Sequence, residues 1–145
     1  MLPERWKVGK LVHAFPKSVH SVLCEPVLEK LSSQRIGQLS GGERRYLELQ
    51  IILNLGRKYV LLDEPFTGIS PILVEQMVRA IEVAAKSGIG IVIADHDYRS
   101  LLPIVHDAYF VSNKQCRRIN AGVQLAQDLE RNGYLCRGSH PAGSI

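Results

Sequence analysis

Residues 59–97 read YVLLDEPFTGISPILVEQMVRAIEVAAKSGIGIVIADHD, and the order of apolar and polar residues within them dictates an architecture. The stretch opens on a wholly apolar run, Tyr59-Val60-Leu61-Leu62, that stops at Asp63-Glu64-Pro65. Such a run, without polar alternation, is the pattern of a strand buried on both faces, as in a parallel sheet. Ser70-Pro71 then reads as a helix start, a capping residue followed by proline at the first helical position. Val74, Met77, Val78, Ile81, Ala84 and Ala85 recur at helical spacing, and Gly88 marks the stop. A second apolar run, Ile89 to Ala94, ends at Asp95-His96-Asp97. Strand, helix and strand in this order form a βαβ unit with a right-handed crossover, so the expected fold is α/β with parallel core strands.

The flanking sequence adds helices before this unit and strands after it. Leu39-Ser40-Gly41-Gly42-Glu43 leads into a helix running from Glu43 to about Leu55, with Gly56 at its end. Ser40 and Glu43 form an S-x-x-E capping box, which alone explains their place before a helix. Two glycines are more than a turn needs. Paired glycines let backbone N–H groups approach an anion closely, and the helix N-terminus adds favourable dipole charge. Further upstream, residues 25–31 read as a short helix with Val27, Leu28 and Leu31 on one face. Downstream, the pattern predicts a helix over 98–105, a strand over 108–111, a polar turn at Ser112-Asn113-Lys114, a strand near 117–119 and a helix over 123–131. The domain organisation that follows is a helical subdomain over 1–57, an αβ core over 58–112, a C-terminal strand and helix over 113–134, and a tail over 135–145 expected to be mobile.

Chemistry is expected at the strand ends, because ligands of open parallel sheets gather at the carboxyl ends of the strands. Asp63 and Glu64 stand at one such end and His96 at the other. An apolar run followed by Asp is how phosphate-binding enzymes present a carboxylate to Mg²⁺, leaving a second acid free to act on water. Turns also favour Asp after strands for conformational reasons, so the run alone does not choose between the two readings. His96, flanked by Asp95 and Asp97, stands where it would contact a phosphate or the attacking water.

Composition narrows the class without naming it. Of 145 residues, 46% are hydrophobic and 22% charged, which sets aside disordered, collagen-like and coiled-coil chains. Eighteen Lys and Arg against fourteen Asp and Glu leave a net charge of +4, spread in short clusters such as Glu43-Arg44-Arg45. Scattered charge of this kind is a solvated surface, and no nucleic-acid partner is expected from it. Cys24, Cys116 and Cys136 are far apart and make no C-x-x-C pair, which fits reduced thiols better than a zinc site. No apolar run approaches the roughly 20 residues that cross a bilayer.

Taken together, LSGGE at 39–43, YVLLDEP at 59–65 and the histidine of IADHD at 93–97 resemble the ATP-binding cassette (ABC) ATPases. LSGGE looks like the family signature, YVLLDE like its Walker B segment and His96 like its switch histidine. The likeness covers roughly residues 20 to 130, and EPFTGISPILV with KSGIGIVIADHD looks most like the branch that powers lipopolysaccharide export and branched-chain amino acid uptake. The fold so implied is a partial P-loop NTPase, parallel core strands with helices plus a helical subdomain bearing the signature. The resemblance implies ATP and Mg²⁺ as cofactors, with Asp63 holding Mg²⁺, Glu64 polarising the attacking water and His96 contacting the γ-phosphate. It also implies that the Leu39-Ser40-Gly41-Gly42-Glu43 segment, through Ser40, Gly41 and Gly42, binds the γ-phosphate of ATP held by an opposite subunit. The partners implied are a second cassette and transmembrane permease subunits, at the cytoplasmic face of the cell membrane.

Two positions depart from the family pattern. The Gly9-Lys10 pair has Glu4 where a G-x-x-x-x-G-K-[ST] loop needs its first glycine and Leu11 where it needs Ser or Thr, so the chain carries no Walker A loop. The expectation is therefore the C-terminal part of a cassette, without its nucleotide-gripping N-terminal part, marginally stable alone and not hydrolytic alone. Ser70 stands where the family's D-loop has Asp, which bears on coupling between two sites. A non-catalytic module that lends its signature in trans to a complete cassette is the alternative from another class. A DNA-repair or translation-factor ATPase is a third reading, disfavoured because its coiled-coil insertion or tandem second cassette is absent.

Overall fold

The computed structural model describes residues 4–12, 26–95, 98–101, 103–112 and 114–120. They belong to two compact units, Met1–Ser100 and Leu101–Ile145.

In the first unit, α1 (Val8–Val12) packs on α2 (Pro26–Leu31). The backbone entering α1 pairs with the backbone leaving α2: the amides of Val8 and Ile36 donate to the carbonyls of Gln34 and Trp6 at 3.0 and 2.9 Å. Val8, Leu28, Leu31 and Ile36 are buried by this arrangement. A 3₁₀ turn, Ile36–Gln38, then delivers the chain to α3 (Gly41–Leu53). On α3, Tyr46, Leu47, Leu49, Gln50 and Leu53 are buried, the i, i+3, i+4, i+7 spacing of a helix face turned to a core. Gln50 is the polar member of that face; its Nε2 donates to the Tyr46 hydroxyl at 3.0 Å, while its Oε1 meets no donor among the described residues.

The βαβ unit stands as the sequence predicts. β1 (Tyr59–Asp63) and β2 (Gly90–Ala94) run parallel, in register from Tyr59↔Gly90 to Asp63↔Ala94. Between them α4 (Pro71–Lys86) packs against α3 and β2 and buries Met77, Ala80, Ile81 and Ala84. Ser70 occupies the N-cap position without a side-chain capping bond, and Gly88 takes φ +95° just past the helix end.

One expectation changes here. Val60 and Leu62 are buried, at 4% and 7% exposure, whereas Tyr59 and Leu61 are 75% and 78% exposed and Val92 is 61% exposed. Successive strand residues point to opposite faces, so an apolar run supplies two apolar faces, and in this structure one of the two lies open to solvent.

In the second unit, β3 (Asp107–Ser112) and β4 (Gln115–Asn120) form an antiparallel hairpin in register from Asp107↔Asn120 to Ser112↔Gln115. Lys114 adopts φ +61°, the left-handed conformation that tight hairpin turns require. Arg118 donates from Nε to Asp107 Oδ1 at 3.0 Å and from Nη2 to the same oxygen. That hydrogen bond and the adjacent charge raise the guanidinium pKa, and the pair is exposed enough to add little stability. The helix expected to reach residue 105 is α5 (Tyr98–Leu101), and beyond it the amides of Ile104 and Val105 turn back to the Leu101 carbonyl. Pro103 fits the early stop, since proline has no N–H to donate into a helix. The helix expected over 123–131, the tail over 135–145, Cys24 and Cys136 lie outside the described residues. No helix among the described residues is long and apolar enough to cross a membrane.

Candidate functional site

The N-terminus of α3 is built by its sequence. Ser40 stays extended, at φ −60° and ψ 161°, and its Oγ accepts the Glu43 amide at 3.3 Å. The Glu43 carboxylate reaches back to accept the Ser40 amide at 2.8 Å and the Ser40 hydroxyl at 2.7 Å. The capping box read from Ser40 and Glu43 is thus formed, and the hydroxyl proton of Ser40 is directed to Glu43. The ready donors at this end are the amides of Gly41 and Gly42, which as the first helical residues have no intrahelical acceptor. Replacing Ser40 by Ala is expected to cost about 1 kcal/mol, and by Gly about 0.3 kcal/mol, in a denaturant titration.

Gly41 and Gly42 differ in what surrounds them. A Cβ on Gly42 would stand 3.1 Å from Leu73 Cδ1, so packing within the chain favours glycine there. A Cβ on Gly41 would meet nothing within 4 Å. The missing side chain at Gly41 therefore leaves open space, with no packing contact that requires glycine. Leu39, buried at 7% exposure, anchors the segment from below.

Asp63 and Glu64 sit at the carboxyl end of β1, both exposed. Glu64 adopts φ +43°, a left-handed conformation uncommon for a residue with a side chain. Its amide donates to the Ala94 carbonyl at 2.7 Å, which joins the ends of β1 and β2. Thr67 holds it from the following turn, the amide donating to the Glu64 carbonyl at 3.4 Å and the hydroxyl to Oε2 at 3.3 Å. Asp95 closes the turn by accepting the Phe66 amide at 3.3 Å.

Arg45 joins the two ends of the site. Its Nη2 donates to the carbonyl oxygens of Asp63 and Glu64 at 3.4 and 3.2 Å. A cleft of about 400 Å³ results, lined by Gly41, Gly42, Arg45, Glu64, Thr67, Gly68 and Ile69. The structure so brings Gly41, Gly42 and Glu64 to one cleft within a single chain. Asp63, Ser40 and Glu43 stand beside that cleft rather than in its wall, and His96 lies outside the described residues. Arg45, Thr67 and Asp95 were not singled out by sequence reasoning. Arg45 had a signal there only as part of a charge cluster.

These groups fit a nucleotide triphosphate with Mg²⁺. Amides at a helix N-terminus suit phosphate oxygens. A single exposed carboxylate, Asp63, suits Mg²⁺, which is held by one or two carboxylates together with substrate phosphates. No group of three or more His, Cys, Asp or Glu able to hold a metal by itself occurs among the described residues.

No protein-family model matches the chain. It is similar to the lipopolysaccharide export system ATP-binding protein LptB of Escherichia coli K12, 39% identical over 101 residues, which covers 70% of this chain and 42% of that protein. It is also similar to the high-affinity branched-chain amino acid transport ATP-binding protein BraG of Pseudomonas aeruginosa, 30% identical over 111 residues, covering 76% of this chain and 48% of the relative. The chain thus spans less than half the length of these relatives. Among solved structures it resembles a nucleotide-free ATP-binding cassette from an ABC transporter, with a TM-score of 0.65 and 24% identity, over 79% of this chain and 46% of the other. At that identity the likeness speaks for the fold alone.

Proposed function

We propose that this chain, which carries part of an ATP-binding cassette of the ABC transporter family, supplies the signature and Walker B side of an ATPase site that couples ATP binding and hydrolysis to transport across a membrane. The observation that supports the reading is the pairing, along one cleft, of a capped helix end at Gly41 and Gly42 with a strand end at Glu64 whose carboxylate and backbone are both hydrogen-bonded. Gly41 and Gly42 offer their amides to the terminal phosphate of an ATP held by a second cassette, with Ser40 and Glu43 fixing the helix end that carries them. Mg²⁺, when bound, neutralises charge on the phosphate oxygens, and Asp63 is the residue that would hold it. Glu64 accepts a proton from the attacking water. His96 is assigned to the γ-phosphate by family resemblance.

Phosphoryl transfer depends on positioning and charge stabilisation, so the donors of one site need not come from one chain. In this reading a second cassette and permease subunits are the partners, and the assembly works at the cytoplasmic face of the membrane. A polypeptide bearing a G-x-x-x-x-G-K-[ST] loop must contribute the grip on the β-phosphate. The purified chain alone is expected to release no phosphate from ATP above background. Adding the part of the E. coli relative that this chain does not match is expected to restore turnover. Turnover by the pure chain that vanishes with Glu64→Gln overturns the need for a supplied loop, and no turnover in any combination overturns the catalytic reading.

The capped helix end that carries the Gly41 and Gly42 amides also fits a second reading, a non-catalytic module that lends its signature to a complete cassette. That reading requires a complex with an intact cassette that forms only when ATP is present, measurable by size-exclusion chromatography with and without nucleotide.

A further inference from the structure

The turn that follows β1 is tied to the end of β2 at two places. The Glu64 amide donates to the Ala94 carbonyl at 2.7 Å, and the Phe66 amide donates to Asp95 Oδ2 at 3.3 Å. Within itself the turn is closed at Thr67, whose amide donates to the Glu64 carbonyl and whose hydroxyl donates to Glu64 Oε2. A closed turn attached at one point pivots about it; a second attachment fixes its orientation. The first attachment joins backbone to backbone and is open to any residue pair. The second depends on one side chain, so residue type decides it. Phe66 is buried at 5% exposure, and an amide there that lost its acceptor would have little water to turn to. The residue oriented in this way, Glu64, stands at φ +43°, a conformation that persists when its surroundings over-determine it.

From this geometry we infer that Asp95 is a positioning residue: by accepting the Phe66 amide, its carboxylate orients the turn that holds the Glu64 side chain. The inference rests on the reading of Glu64 as the residue that takes a proton from water. Asp95 does not touch the reacting atoms in this account. What the turn requires at residue 95 is an oxygen acceptor of the right reach, and the negative charge only strengthens the bond. An asparagine keeps an acceptor oxygen on a side chain of the same length, and an alanine has none. This separates Asp95 from a carboxylate that works by its charge, for which asparagine and alanine are equally poor.

Two measurements on Asp95→Ala and Asp95→Asn test this. In the full chain alone, Asp95→Ala is expected to speed hydrogen exchange of the Phe66 amide about 10–100-fold, the scale of a lost hydrogen bond to a charged group, while amides in the middle of α4 keep their rates. Asp95→Asn is expected to stay within about fivefold of the unmodified chain, since a neutral acceptor makes a weaker bond but still makes it. Unchanged exchange at Phe66 in Asp95→Ala overturns the proposal. With the loop-bearing polypeptide added, Asp95→Ala is expected to lower kcat about 10–100-fold, as misplacement of a reacting group does, with KM for ATP nearly unchanged. Asp95→Asn is expected to recover most of that loss. A kcat for Asp95→Asn as low as that of Asp95→Ala overturns the proposal, because charge rather than an acceptor would then be what matters, and so does a loss confined to KM. Should Asp95→Ala not fold, Asp95→Asn decides alone: a kcat within about fivefold of the unmodified pair supports the proposal, and a larger drop overturns it. If the unmodified pair turns over no ATP, the ATPase reading fails, and exchange at Phe66 still decides whether Asp95 holds the turn.

Discussion

Glu64→Gln, in the chain joined by the loop-bearing polypeptide, is expected to lower ATP turnover by about 10²–10⁴-fold, the range that general base catalysis contributes. The amide keeps the size of the carboxyl group and retains an oxygen to accept the Thr67 hydroxyl, which in the unmodified chain bonds Oε2 at 3.3 Å. The backbone bonds to Ala94, Thr67 and Arg45 are untouched by the change. In the proposed reading only the ability to take a proton from water would be lost. Phosphate-release rates, read beside matched denaturation curves, check this: a variant keeping more than about a tenth of the rate removes Glu64 from the role of base.

The second large effect is on stability. Leu47 on α3 is fully buried at 0% exposure, whereas Leu61 on β1 is 78% exposed. Leu47→Ala deletes the same atoms from a packed core and is expected to cost about 2–5 kcal/mol. Against a total of roughly 5–15 kcal/mol for a domain, that is a large fraction, and a loss of about 5 kcal/mol from the low end of the range unfolds about half of the population. Leu61→Ala is expected to change stability by about 0.5 kcal/mol or less. Urea titrations of the two variants at low and high protein concentration read the difference. A large, concentration-dependent cost for Leu61→Ala would mean that the open face of β1 is covered by another copy in solution.

Much of the fold was legible because it rests on local rules. The βαβ unit follows from two apolar runs, the Ser70-Pro71 start and the Gly88 stop, and the hairpin from the polar turn between 111 and 115. The capping box was legible for the same reason, as Ser40 and Glu43 satisfy each other over three residues. The exposure of Tyr59 and Leu61 was not. An apolar run reports that both faces of a strand favour apolar neighbours and carries no information on whether those neighbours are present. Nor was Arg45 legible, since its partners are backbone carbonyls of residues 63 and 64, and a carbonyl has the same signature at every position. The place of the two carboxylates at the strand end was readable; the bonds that hold one of them were not.

The single bond from the Glu64 amide to the Ala94 carbonyl, at 2.7 Å, bears on time rather than on place. Exposed loops wander on nanosecond to microsecond scales, whereas backbone tied into a sheet departs only when the sheet opens locally, a rarer and slower event. Glu64 stands one residue past its strand, where a loop would ordinarily begin, yet the bond gives its backbone the slow clock of the sheet. In the proposed reading, a nucleotide would find the Glu64 backbone already in place, and less of its binding energy would be drawn off to order it.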